Sequence, residues 1–236
     1  SATSPIAHAG STERIEAFIT GLCAVSADEY VTTVADAAGL AVYGLDAPRR
    51  LIAAFQDGTI RDIHLGSDAG DGMVYARMDR TGDIYRIRRT QLTFAESAGL
   101  NTLLDRFVSP VVVATLSQMR VTTVDGETTL RIEYENGDDN IGQRWFRDEN
   151  AVTRDEFTDA YLSIIALQFD QTAPQEAAGT SLLADVTFTL RDGSTSTVRY
   201  EACDAFYALV TNDGGGRFLV RLTDVENMLT VLKGEK

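Results

Sequence analysis

The chain is poor in the residues that most often carry chemistry or covalent staples. It has two cysteines, two histidines, one tryptophan and four prolines in 236 residues. Two cysteines exclude a disulfide scaffold, which needs several bridges in a shorter chain. Cys23 and Cys203 are left to pair in an oxidising compartment or to stay as free thiols, and buried free thiols are the expectation. Two isolated histidines, His8 and His64, supply neither a metal-ligand set nor a catalytic triad. His8 falls in a small polar tail, and His64 is expected at the surface on an outward strand position. No run approaches the ~20 apolar residues that a membrane-spanning helix needs. Basic residues are outnumbered, 21 against 35, and the net charge is −14. That sign repels a phosphate backbone and anionic lipid, so nucleic acid and a membrane surface are poor partners. Hydrophobic residues make up 44% of the chain, enough for a buried core.

What the chain does have is an internal repeat. Leu51-Ile52-Ala53-Ala54-Phe55-Gln56-Asp57-Gly58-Thr59, running into Ile63-His64-Leu65, is echoed by Val186-Thr187-Phe188-Thr189-Leu190-Arg191-Asp192-Gly193-Ser194, running into Val198-Arg199-Tyr200. Upstream, Ala17-Phe18-Ile19-Thr20-Gly21-Leu22 answers to Ala160-Tyr161-Leu162-Ser163-Ile164-Ile165. Downstream, Tyr75-Ala76 answers to Tyr207-Ala208, and Tyr85-Arg86-Ile87 to Val220-Arg221-Leu222. The blocks keep their order, which fixes an architecture without fixing a chemistry.

The spacing predicts helices for the upstream blocks. Ile15, Phe18, Ile19 and Leu22 make one apolar stripe. Thr153 with Glu156 has the capping-box pattern ahead of Phe157, Tyr161, Ile164 and Ile165. The middle blocks alternate apolar and polar residues, as half-buried strands do, and Asp57-Gly58 and Asp192-Gly193 supply the turns. Two more strands follow in each copy, at Met73 to Met78 with Asp83 to Arg88, and at Phe206 to Thr211 with Arg217 to Leu222. Thr93 with Glu96 is expected to cap a closing helix through Leu100, Leu103, Leu104 and Phe107. Asp224 opens a shorter counterpart with Met228, Leu229 and Leu232. The fold class is therefore α+β, as two tandem repeats of helix, about four antiparallel strands and helix.

The expected organisation is a tether at 1–10, a first repeat unit at 11–108, a strand-rich bridge at 109–152 and a second repeat unit at 153–236. The bridge carries strands at Gln118 to Val124, Thr128 to Glu135 and Gln143 to Arg147. Leu130, Ile132 and Tyr134 alternate with Arg131, Glu133 and Glu135, the pattern of a sheet covered on one side. No low-complexity linker parts the units, which is compatible with one continuous body.

Few residues suggest chemistry. Asp79-Arg80-Thr81-Gly82-Asp83 and Asn136 to Asn140 are acidic loops without the full spacing of a calcium loop. Gly214-Gly215-Gly216 lies between strands and reads as a hairpin loop, not a phosphate cradle. Arg86 and Arg88 share a strand face and read as solvated cations paired with nearby carboxylates. Trp145 reads as a core anchor. Pro48 favours extended geometry at Ala47, Gly44 permits a turn, and Asp46 is placed to accept backbone N–H groups, so the segment reads as a corner feeding the Leu51 strand.

Tyr43-Gly44-Leu45-Asp46-Ala47-Pro48, the Asp57-Gly58 turn, His64-Leu65-Gly66, Gly72-Met73-Val74-Tyr75-Ala76-Arg77 and Ile84-Tyr85-Arg86-Ile87 follow one another in an order that resembles the DUF4340 family. Trp145 and the helix from Phe157 to Leu167 extend the likeness. In the second copy Glu176-Ala177-Ala178-Gly179 replaces the Gly-Leu-Asp-x-Pro element. The resemblance implies a bacterial, membrane-anchored protein with its folded part outside the cytoplasm. It also implies a role beside ABC transporters of the gliding-motility type. It brings no catalytic residues. The chain begins Ser1-Ala2-Thr3, and a removed N-terminal anchor is expected. The expected function is thus a non-catalytic extracytoplasmic module whose partners are membrane or transporter protein subunits, with no cofactor, no metal and no enzyme activity. The alternative is a module that binds a small molecule, peptide or glycan in a cleft between the two repeat units.

Overall fold

A computed structural model of the chain describes residues 8–34, 36–78, 82–96, 98–134 and 142–234. The loop at 136–140 and the acidic start of the loop at 79–83 lie outside the described residues. Those described form an α+β fold of six helices and fourteen strands in two antiparallel sheets. The chain divides into two compact units, Ser11–Leu103 and Ser1–Gly10 with Leu104–Lys236.

The first unit holds α1 (Thr12–Ala24), β1 (Glu29–Thr33), α2 (Ala37–Val42), β2 (Arg49–Ala54), β3 (Ile60–Gly70), β4 (Met73–Met78), β5 (Asp83–Arg88), α3 (Thr93–Glu96) and α4 (Leu100–Leu103). Ser11 caps α1 by accepting the Arg14 N–H, which satisfies one of the free amides of the first turn. The sheet order is β1-β5-β4-β3-β2. Leu51, Ile63, Val74, Ala76 and Ile87 pack one face against Leu22 and Val25 and against Leu92 and Ala95. Phe18 meets Phe94 edge-on at 5.2 Å. The expected closing helix is not continuous. It breaks into α3 and α4, and Leu104 and Phe107 lie beyond it in isolated bridges to Gly10 and Gln168. Gly99 carries no side chain to support a helix there, and its N–H is taken by the Thr102 hydroxyl.

The second unit holds β6 (Leu116–Thr123), β7 (Gly126–Tyr134), β8 (Gln143–Arg147), β9 (Asn150–Val152), α5 (Arg154–Ile165), β10 (Gln171–Thr172), β11 (Ser181–Leu190), β12 (Thr195–Ala202), β13 (Tyr207–Asn212), β14 (Arg217–Arg221) and α6 (Leu222–Lys233). The sheet order is β10-β14-β13-β12-β11-β6-β7-β8-β9. The strands expected in the 109–152 segment are therefore members of this sheet, joined to it by the β6–β11 pairing. The capping box at the start of α5 is complete, with the Thr153 hydroxyl and the Glu156 carboxylate each serving the other's backbone amide. Phe157, Ala160, Tyr161 and Ile164 from α5 and Val225, Met228 and Leu232 from α6 are buried with Val186, Phe188, Val198, Tyr200, Val210 and Phe218. Burying a side chain such as Phe157 or Phe188 contributes about 2–3 kcal/mol. Trp145 is half-buried, 4.7 Å from the Phe157 ring, in the anchoring role its position implied.

Residues 8–10, expected in the tether, are built into the second unit. His8 is buried against Phe169 and Phe218 and bonds the Asp105 carbonyl at 3.0 Å. Ala9 accepts from the Asp105 N–H. The aromatic side of an imidazole suits such a pocket when its nitrogen is bonded, a contact between residues 97 positions apart that no local pattern signals. Both cysteines are free thiols, as expected, but neither is buried: Cys23 is exposed and Cys203 half-buried.

Candidate interaction surfaces

Five consecutive places in the two sheets are arranged alike. The order β1-β5-β4-β3-β2 in the first has the same pattern as β10-β14-β13-β12-β11 in the second. The β2–β3 and β11–β12 turns close with the same bonds. Phe55 N–H donates to Thr59 O at 2.8 Å, and Leu190 N–H to Ser194 O at 2.8 Å. Gly58 and Gly193 both sit at φ 84°, where an L side chain is strained. Asp57 accepts the Thr59 N–H at 2.8 Å, and Asp192 accepts the Ser194 N–H at 2.9 Å with its hydroxyl at 2.6 Å. These bonds hold both carboxyls below the usual carboxylate range, chiefly through the Thr59 backbone amide at Asp57 and the Ser194 hydroxyl at Asp192.

The nine-stranded sheet has one face under α5 and α6 and a polar opposite face. Register places Thr197, Thr187, Arg120 and Thr129 in one row, and Thr195, Thr189, Gln118, Arg131 and Phe146 in the next. Alternation puts these side chains opposite the core residues Phe188 and Met119, and all are at least partly exposed. Arg131 lies over the Phe146 ring at 4.4 Å. Glu133 pairs with both Arg131 and Arg144, the latter at 2.7 Å, and Arg131 foremost holds its carboxyl low. Arg199 grips Asp185 with two bonds of 2.8 and 2.9 Å.

In the five-stranded sheet the face away from α1 carries a different cluster. Arg50 grips Asp62 at 3.2 and 2.6 Å. His64 sits between Asp62 at 3.1 Å and Arg77 at 3.1 Å. A guanidinium only donates, so Nδ1 of His64 accepts and Nε2 carries the proton toward Asp62. Arg50, with burial opposing it and His64 assisting, holds the Asp62 carboxyl below its usual range. The His64 side chain is only 12% exposed, so the surface position expected for it is instead the middle of a polar chain. Sequence periodicity put it on the outward side but could not show which neighbours that side holds. Arg86, expected to pair with a nearby carboxylate, donates to Glu29 at 2.8 Å and also to the Ala69 carbonyl. Arg88 pairs with Asp28.

The corner at 43–48 is held by main chain, not by Asp46, which is exposed. Ser67 N–H donates to Tyr43 O at 2.9 Å, Leu45 N–H donates to Leu40 O, and Gly44 adopts φ 68°. Leu45 is 3% exposed and plugs the sheet. Gly214 to Gly216 form the β13–β14 hairpin, as their position between strands implied.

A groove of about 420 Å³ runs between α5 and α6, lined by Leu162, Ser163, Gln168, Asp224, Asn227 and Met228 among others. No group of three or more His, Cys, Asp or Glu able to hold a metal ion occurs among the described residues. No helix among them is long and apolar enough to cross a membrane.

Comparison with curated proteins and with solved structures gives no match. A family model does match, over residues 2–185, spanning the whole first unit and the second as far as Asp185 in β11. The chain belongs to the family described as "Domain of unknown function (DUF4340)".

Proposed function

We propose that this chain is a non-catalytic module of the cell envelope, anchored outside the cytoplasm, that binds a protein subunit of a membrane assembly such as a transporter. The observation that carries the binding role is the polar face of the nine-stranded sheet, whose residues are at least partly exposed. Its arginines are already oriented by Glu133, Asp185 and Phe146, so little side-chain freedom is lost on binding. Arginine and aromatic residues are enriched at protein interfaces. The envelope location and the transporter context rest on what the family resemblance implies.

The test is a crosslinking pull-down of the full-length protein from its native membranes, run beside an Arg120→Glu, Arg131→Glu double variant. Near-stoichiometric recovery of one membrane subunit, lost in the variant, is expected. Recovery of the protein alone, or equal recovery by the variant, overturns the reading. A second reading, small-molecule binding, is favoured by the groove between α5 and α6, whose volume falls in the range of ligand sites. A metabolite panel that raises the melting temperature of the wild type but not of Asn227→Leu supports it.

A further inference from the structure

The β2 edge has an occupied counterpart within the same chain. In the nine-stranded sheet β11 pairs on one side with β12 and on the other with β6. In the five-stranded sheet β2 holds the matching place and, among the described residues, pairs only with β3. The two turns fix which amides face which way. Phe55 and Leu190 bond across their own hairpins. Alternation then turns the main-chain groups of 51 and 53, and of 186 and 188, toward the hairpin partner. The groups of Arg50, Ile52 and Ala54 point to the free side, as those of Asp185, Thr187 and Thr189 do. On β11 those three residues face Thr122, Arg120 and Gln118 of β6.

The other strand ends of both sheets are blunted in the ways that guard exposed edges. β1 breaks register between Tyr30 and Thr32. β9 has three residues and β10 has two. β2 has six and pairs without a break. It is also chemically prepared. Where β11 carries Asp, Thr and Thr, β2 carries Arg50, Ile52 and Ala54. Ile52 is 57% exposed and Ile60, two strand positions away across the hairpin, is 52% exposed. The Arg50 side chain is 51% exposed beyond its bond to Asp62, which leaves donors free for a second carboxylate.

We infer that the β2 edge is a docking site for an extended segment of another protein, which adds to the sheet antiparallel, as β6 adds to β11. The internal register writes its side-chain pattern: an apolar residue opposite Ala54, another opposite Ile52 two positions on, and Asp or Glu opposite Arg50 two further on. The intervening residues lie beside Ala53 and Leu51 at the rim of the core and are small or apolar. A second copy of this chain fits less well. β2 offers no carboxylate for Arg50, and two bodies of charge −14 repel. The site is built from other residues than the polar face invoked above, so either stands if the other fails.

The probe is a capped peptide of the β6 sequence Leu116–Thr123 carrying Gln118→Val, Arg120→Ile and Thr122→Glu. A matched peptide has Thr122→Lys. Amide hydrogen exchange of the full chain, with and without peptide, reports the contact. The glutamate peptide is expected to protect Arg50, Ile52 and Ala54 and to bind about three-fold tighter than the lysine peptide, the scale of one cross-strand ion pair. Ile52→Pro removes an outward donor without touching the hairpin ladder and is expected to weaken binding about ten-fold. Arg50→Glu, which keeps the backbone intact, is expected to reverse the peptide preference. Protection elsewhere, equal binding of the two peptides, or an unchanged preference in Arg50→Glu overturns the site. A concentration-dependent dimer lost in Ile52→Pro also overturns it, by showing that a second copy holds the edge.

Discussion

The two sheets share a strand order but close their crossing segments differently. In each unit the chain must pass from the short edge strand to the far side of the meander, over the sheet surface. In the first, the corner at 43–48 crosses β3 and is sealed by the apolar plug of Leu45. In the second, the 173–180 segment is clamped by a cation. Arg217 donates to the carbonyls of Pro174, Gln175 and Ala177. A main-chain bond ties each crossing to a strand, Ser67 N–H to Tyr43 O and Thr180 N–H to Ala202 O, and the second crossing has another at its start, Ala173 N–H to Arg217 O. The glycine that permits the close approach changes sides. In the first unit it is Gly66 of the strand, where a Cβ would lie 2.2 Å from Tyr43 O. In the second it is Gly179 of the crossing segment, where a Cβ would lie 2.5 Å from the Glu201 Cβ. Close backbone contact needs one partner without a side chain, and either partner can supply it.

The sharpest way to break this comparison is at the two seals. Leu45→Ala should cost the first unit about 3 kcal/mol through lost burial and a residual cavity. Arg217→Ala should cost the second about 2 kcal/mol through lost charged hydrogen bonds. Amide exchange resolved by residue should show each loss confined to its own unit, and a loss shared equally by both would refute the separation. Gly66→Ala and Gly179→Ala should each destabilise by about 1–3 kcal/mol through overpacking, seen as lower midpoints in urea. Tyr200 sharpens the contrast from the other side. Its hydroxyl is buried and has no partner among the described residues, and burial pushes its pKa up. Tyr200→Phe removes an unsatisfied group and should raise second-unit stability by about 1 kcal/mol, read in the same urea titration.

The smallest effect is at the matched turns. Asp57 and Asp192 are depressed in the folded state. Their contribution is therefore complete above the unfolded carboxylate value of about 3.9 and is lost as pH falls below it through the folded value. Asp57→Asn and Asp192→Asn keep the acceptor oxygen and remove the titration. Acid unfolding of each unit between pH 5 and about 2 should flatten slightly and to a similar degree, and an unchanged acid profile in both variants would count against the turn bonds.

Much of the fold was legible in local pattern. The stripe of Ile15, Phe18, Ile19 and Leu22, the Thr153–Glu156 box and the two Asp-Gly turns each act within a few residues, and each appears where the pattern put it. The short strands β1 and β10 were not legible: β10 has two residues, and β1 (Glu29–Thr33) places Tyr30 and Val31 side by side and breaks register between Tyr30 and Thr32, so neither alternates. Thr93 and Glu96, expected to cap a long helix, lie instead within the short α3 (Thr93–Glu96), with the Thr93 hydroxyl donating to the Thr90 carbonyl. Of the surfaces, the alternation of Arg131 and Glu133 with Leu130 and Ile132 announced a one-sided sheet. The Asp62–His64–Arg77 chain was hidden, since its members come from two strands and meet only through register.

The sequence by itself determined the helices with strong stripes and caps, the hairpins, the acidic surface and the family, since each of these depends on near neighbours or on composition. Tertiary structure alone decided that the strands after Thr115 extend the nine-stranded sheet, that His8 is buried between Phe169 and Phe218, and that β11 is paired on both sides while β2 is not. Those outcomes join residues tens of positions apart. The free energy of such pairings lies in main-chain hydrogen bonds and burial that any strand of suitable alternation can supply, so the choice among partners is settled only when the whole core packs.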